Sequence, residues 1–201
     1  NPRNSMVNVN NSKNYWNKYR VWKPLGLLVL AGLTPSEWDI TVVDENVRTP
    51  DYSDMPRPDL VGITAFTSQA PRAYELSEMF RGLGVPVVMG GFHPTLVPDE
   101  CAEHADAIVI GDAETIWPQV VEDARAGHMQ ARYEGGTEYP QPGGVPIRRD
   151  LFDGKGYLPV TLVQYGRGCR FACSFCAISS RPASLACWTV SISWSSATIS
   201  V

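Results

Sequence analysis

Apolar residues along this chain come in short continuous runs, separated by stretches in which they recur at helical spacing. Residues 60–66 (Leu-Val-Gly-Ile-Thr-Ala-Phe), 86–91 and 107–111 are strand-length runs, and 39–44 is a short β-branched one. Between them, residues 70–83 place Ala73, Leu76, Met79, Phe80 and Leu83 on one helical face, closed by Gly84. Residues 98–104 read as a short helix behind Pro98. Residues 114–126 carry Ile116, Trp117, Val120 and Val121 on one face, with Gly127 behind them. An apolar helix over residues 25–33 is punctuated by Pro24 before it and Pro35 after it. Residues 1–23, Asn-rich and polar, and residues 48–58 read as loops. Near-continuous apolar strands alternating with helices predict an α/β domain over residues 1–128, a doubly wound parallel sheet covered on both faces.

In such a sheet, ligands bind at the carboxyl ends of the strands. The loops expected there are Thr67-Ser68-Gln69, Gly90-Gly91-Phe92-His93-Pro94-Thr95 and Gly111-Asp112-Ala113-Glu114. The glycines either let a backbone approach a ligand or simply make tight strand-to-helix turns. Three such loops on one edge favour a ligand site.

Farther along the pattern changes. Residues 129–157 contain two Gly-Gly pairs and Pro140, Pro142 and Pro146, the composition of a linker or extended arm. Residues 158–165 form a new apolar run, read as a strand opening a second α/β unit over 158–180. The remainder, 181–201, is an atypical tail with no charged residue from 183 onward. Within it Val190, Ile192 and Trp194 alternate with serines, a period-two pattern suited to one strand.

Composition narrows the class. Of the 201 residues, 44% are hydrophobic and 19% charged, as in globular domains. A net charge of −4 without any Lys/Arg run argues against nucleic acid. The longest apolar stretch, 25–33, is interrupted by Gly26 and Gly32, so no membrane span is expected. No signal peptide is recognisable, and the cysteines are not spaced as a disulfide framework, which points to a reducing, cytoplasmic setting.

Three of the five cysteines fall within eight residues, as Cys169-x-x-x-Cys173-x-x-Cys176, with Phe175 just before the last. Buried thiols seldom crowd so closely. A structural zinc site needs four ligands, and a fourth would have to be Cys187 or one of His93, His104 and His128. A 4Fe-4S cluster held by three thiolates leaves one iron open to a cofactor.

This motif, with a strand leading in, resembles the signature of radical S-adenosylmethionine enzymes. The resemblance implies that Cys169, Cys173 and Cys176 hold a 4Fe-4S cluster. It also implies that S-adenosylmethionine chelates the open iron, that Phe175 lies near its adenine, and that an electron donor such as a flavodoxin or ferredoxin reduces the cluster. The preceding domain is similar to the cobalamin-binding domain of one branch of that superfamily. Pro24-Leu-Gly-Leu-Leu, Asp59-Leu-Val-Gly-Ile-Thr64, Gly90-Gly-Phe-His-Pro-Thr95 and Gly111-Asp-Ala-Glu114 carry that similarity in order. It implies a cobalamin site lined by Thr67, Ser68, Gly90, Gly91, Phe92, His93, Thr95, Gly111, Asp112 and Glu114. The implied activity is methylation or rearrangement of a substrate by a 5′-deoxyadenosyl radical.

The chain departs from the pattern in three ways. The Asp-x-His-x-x-Gly motif that carries a cobalt-ligating histidine is absent; His93 is a tempting substitute, but it follows a later strand and reads instead as a turn histidine bonded to backbone. The family's first strand is missing before Asn1, which predicts a gap in the sheet or another segment filling it. The tail replaces the rest of the family's barrel, as in a truncated or frame-shifted product departing near residues 179–182 that is inactive by itself. A rival reading is a zinc-binding docking module with a receiver-like domain; Asp44 and Glu45 are its candidate acids, but Lys155, the only lysine beyond Lys23, lies outside that domain.

Overall fold

The computed structural model describes residues 24–45, 50–136, 147–155, 157, 161–164, 173–176 and 190–193. Four strands form one parallel sheet in the order of the chain: β1 (Val61–Thr64), β2 (Val87–Gly90), β3 (Ala107–Ile110) and β4 (Arg132–Glu134). Val61 pairs with Val87, Val88 with Ala107 and Ile108 with Arg132. The helices are α1 (Leu25–Leu33), α2 (Ala70–Gly82), the short α3 (Phe92–Leu96) and α4 (Pro98–His104), and α5 (Trp117–Ala126).

Side chains alternate across a strand, so a strand buried on both faces feeds two cores. Val87, Met89 and Ile108 point to one side and pack with Ala73 of α2 and Cys101 of α4. Val88, Ala107 and Val109 point to the other and meet Val120 of α5 and Tyr133 of β4. On that second side α1 adds buried Leu28, Val29 and Ala31, and its end is tied to α5 where Trp117 Nε1 donates to Thr34 Oγ1 at 2.9 Å. Helices therefore cover both faces. The fold is the doubly wound α/β arrangement expected from the sequence.

Two expectations are corrected. Residues 39–44 form no strand, although their β-branched residues favour one. Propensity becomes a strand only where a neighbour supplies the ladder. Their contacts are instead with the segment read as an arm: Lys155 Nζ donates to the Val42 carbonyl at 2.8 Å, and Tyr157 Oη donates to Asp44. The described residues of that segment also carry regular structure. Arg132–Glu134 within it is β4, a fourth strand beyond residue 128. Farther on, Arg148 N donates to the Leu28 carbonyl at 3.2 Å, and Phe152 is buried beneath Tyr157 and Lys155.

On the outer side of β1 no strand lies among the described residues. Val61 N and Ala65 N donate inward, to the Pro86 and Gly90 carbonyls, at 3.0 and 3.4 Å. In hydrogen–deuterium exchange, Gly62 and Thr64, whose N–H groups point the opposite way, are expected to exchange faster than Val61 and Ile63. Uniform strong protection across 61–64 would show that another segment covers this side.

Glu45 is held against α2. Arg72 donates Nε and Nη2 to its two carboxylate oxygens, both at 2.9 Å, and Tyr52 Oη donates at 3.1 Å. Burial by itself raises the Glu45 carboxyl, but the Arg72 hydrogen bonds and charge outweigh it and hold the group below its ordinary 4.5. The stability from this tie is thus complete above pH 4.5 and is lost as pH falls through the lowered value. An Arg72→Leu variant is expected to lose about 1 kcal/mol at pH 7 in urea unfolding. Its stability should also fall less between pH 5 and pH 3 than the parent's, and an identical acid slope in both would refute the assignment.

The cysteine-bearing part contributes β5 (Thr161–Gln164) and β6 (Val190–Ser193), paired antiparallel with Thr161 opposite Ser193. The alternating serine pattern of the tail does form a strand.

Candidate cofactor-binding edge

All ten residues expected to line the cofactor site lie where β1, β2 and β3 end. Thr67 and Ser68 form a 3-10 turn after β1, Gly90 closes β2, and Phe92, His93 and Thr95 lie on α3. Gly111 and Asp112 follow β3, leading into the 3-10 turn of Ala113–Thr115 that contains Glu114. The loops are laced together. His93 N donates to the Ala65 carbonyl at 3.0 Å, joining the β2 loop to β1. Thr95 Oγ1 donates to the Gly91 carbonyl at 2.7 Å and accepts from Gly111 N at 3.0 Å, joining β2 to β3. Gly135 N donates to the Ile110 carbonyl at 2.7 Å, extending the edge to β4.

The two adjacent glycines act in the turn. Gly91 sits at φ 94° and ψ −158°, a region essentially reserved for glycine, and a Cβ there would collide with Thr64 Oγ1. Gly90 would place a Cβ in ordinary contact with Val109, at 3.7 Å. Both directions lead into the protein, as in a tight strand-to-helix turn.

What this turn presents outward is Phe92. It is 42% exposed and stacks on Phe66, 57% exposed, with ring centroids 5.3 Å apart and planes 23° apart. Leu96 is partly exposed on the same short helix. Aromatic side chains normally bury large areas, so two stacked and open at a ligand-binding edge form a flat apolar platform. Phe66 was not among the expected site residues. Its signal was present, since it ends the apolar run 60–66 just where the polar loop begins.

His93 does not face outward. Its ring is buried, with Nε2 2.7 Å from Tyr74 Oη and Nδ1 3.4 Å from Thr67 Oγ1. Tyr74 also donates to Glu100 Oε1 at 2.9 Å and stacks on His104 with centroids 3.9 Å apart. Burial raises the Tyr74 hydroxyl well above its ordinary value, and its contacts with Cys101 and Glu100 add to this. Cys101 is itself pushed up by burial, against the Tyr74 hydrogen bond. His93 is therefore a packed side chain, engaged by the side chains of Tyr74 and Thr67.

Of the cysteine motif, Cys173 and Cys176 are described and Cys169 lies outside the described residues. Cys176 N donates to the Cys173 carbonyl at 3.1 Å, so the x-x between them is one turn. Cys173 is exposed, Cys176 half-buried, and Phe175 is 90% exposed. Among the described residues no three His, Cys, Asp or Glu side chains converge as a metal site. A concavity of about 620 Å³ lined by Arg81, Pro86, Asp106 and Met129 lies at the opposite edge, where the strands begin. The glycine-rich loops and the aromatic platform are not part of it.

A parallel sheet covered on both faces, with laced glycine-rich loops and an open aromatic pair at its carboxyl edge, defines a cofactor-binding α/β domain. The family described as the B12 binding domain matches residues 18–121, and the chain belongs to it. The part of the resemblance that concerned residues 1–128 therefore stands: this is a B12-binding α/β domain. Bacteriochlorophyllide d C-8(2)-methyltransferase of Chlorobaculum tepidum is 37% identical over 77% of this chain and 36% of its own length. The C-12(1)-methyltransferase of the same organism is 29% identical over 76% of this chain and 34% of its own. An uncharacterized methyltransferase of a Synechocystis species is 34% identical over 77% of the chain and 29% of its own. The chain thus spans about a third of the length of these relatives. No helix among the described residues is long and apolar enough to cross a membrane.

Proposed function

We propose that this chain is the cofactor-binding amino end of a cobalamin-dependent radical S-adenosylmethionine methyltransferase. Its cobalamin would be held on the carboxyl edge by the loops at 66–68, 90–95 and 111–114. The observation that carries the reading is the open Phe66–Phe92 stack. It fits the apolar face of a macrocycle, while the Thr67 and Ser68 hydroxyls beside it suit polar groups at the rim. Since the His93 ring is engaged by Tyr74, the cobalamin would be held without that histidine on cobalt.

Cys169, Cys173 and Cys176 would hold a 4Fe-4S cluster, with Phe175 beside the adenine of S-adenosylmethionine. When bound, these groups supply the radical and the methyl transfer; the residues of this chain bind and orient them. The single turn from Cys173 to Cys176 suits convergence of their thiolates on one centre. The names of the first two relatives make a chlorin-type macrocycle the substrate class of choice, methylated at a peripheral carbon. A flavodoxin- or ferredoxin-like donor would supply the electron.

The test uses the two cofactors separately. The chain is expected to retain about one equivalent of hydroxocobalamin through desalting. After anaerobic reconstitution with iron and sulfide, its paramagnetic resonance spectrum should change when S-adenosylmethionine is added. Cys173→Ala and Cys176→Ala should each abolish that signal and leave cobalamin retention intact. Stoichiometric zinc with no cluster signal would sink the iron–sulfur half of the proposal.

A further inference from the structure

Thr67, His93, Tyr74 and Glu100 form one continuous line from the cofactor edge to the surface of α4. The contacts are Thr67 Oγ1 to His93 Nδ1 at 3.4 Å, His93 Nε2 to Tyr74 Oη at 2.7 Å, and Tyr74 Oη to Glu100 Oε1 at 2.9 Å. Counting protons gives this line a direction. A carboxylate only accepts, so the single Tyr74 proton goes to Glu100. The 2.7 Å contact then requires the proton of a neutral imidazole to sit on Nε2. Nδ1 is left as an acceptor in a buried ring, and Thr67 Oγ1 is the donor within its reach. Thr67 spends its proton inward. Turning it outward would leave a buried nitrogen without a donor, which is unfavourable.

Thr67 itself is exposed, beside Phe66 and the platform. We infer that its hydroxyl meets the ligand as an acceptor only, selecting a corrinoid whose periphery carries amides over one carrying carboxylates. This rests on the corrinoid reading above. An amide N–H donates to the Thr67 oxygen, whereas a carboxylate there would set lone pair against lone pair. Tyr74 and His93 are positioning residues, acting through Thr67 without touching the ligand.

The test compares two probes that both lack a nucleotide tail: cobinamide, with an amide periphery, and cobyrinic acid, with carboxylates. Binding is followed by absorption titration on the full chain at pH 8. The protein's net charge of −4 disfavours the acid equally in wild type and in the Thr67 and Tyr74 variants, so the informative quantity there is the change in the ratio of dissociation constants. Thr67→Val and Tyr74→Phe are each expected to reduce the preference for cobinamide about fivefold to tenfold, while Thr67→Ser preserves it. Glu100→Ala, at a half-exposed side chain, removes the same directing group and should reproduce Tyr74→Phe with little change in melting temperature. A merely structural role for Tyr74 would weaken both probes equally. An unchanged ratio in Thr67→Val overturns the inference, and so does a change there with none in Tyr74→Phe and Glu100→Ala. Failure of wild type to bind either probe would overturn the corrinoid reading itself.

Discussion

Gly91→Ala is expected to destabilise the α/β domain by about 2–3 kcal/mol, whereas Gly90→Ala, one residue earlier, should change stability by less than about 1 kcal/mol. The reason is backbone geometry. Gly91 turns the chain from β2 into α3 at φ 94° and ψ −158°, where a Cβ is strained whatever surrounds it. The added carbon also meets Thr64 Oγ1, which must rotate away. At Gly90 the new methyl lies 3.7 Å from Val109 Cβ, an ordinary contact. Urea unfolding followed by far-ultraviolet circular dichroism separates the two. Equal midpoints would mean that the turn does not depend on Gly91. Because the same turn sets Phe92 and bonds Thr95 to Gly91, the Gly91 variant should also lose cobalamin at temperatures where it remains folded.

Removing the aromatic platform should give the opposite profile. With Phe66→Ala and Phe92→Ala combined, cobalamin binding is expected to weaken roughly 10- to 100-fold, while the unfolding midpoint hardly moves. Both rings are largely open in the structure, at 57% and 42% exposure, so folding gains little from them. Covering them with a ligand would bring that apolar area out of water, at about 1.5–3 kcal/mol for each fully buried ring. Equilibrium titration with hydroxocobalamin, paired with thermal melting, makes the comparison. Unchanged affinity in the double variant would remove the platform from the site. A large loss of stability would instead make the pair part of the core.

The sheet and its helices were readable because their signals are local. Val87, Val88 and Met89 form a run too apolar for a one-sided strand, and residues 70–83 repeat at helical spacing, so each element declares itself. Residues 39–44 show where locality fails. Their β-branched composition is that of a strand, yet a ladder needs a neighbour, and their partners prove to be Lys155 and Tyr157, more than a hundred positions away in sequence. Arg132–Glu134 is the converse case. Three residues with charges at both ends carry no strand signal, and β3 makes them a strand by pairing with them.

The site divides in the same way. Residue identity alone was sufficient to bring the loops at 67–68, 90–95 and 111–114 to one edge, because a parallel sheet puts every strand's carboxyl end on the same side. The family resemblance, too, was carried by residues in order. Which side chains face a ligand was decided only by tertiary structure. His93 and Phe92 are neighbours in sequence, but a five-residue helix turns one into the core against Tyr74 and the other out onto Phe66. That choice depends on a crevice between α2 and α4 able to satisfy an imidazole, and no pattern local to residues 90–95 encodes it.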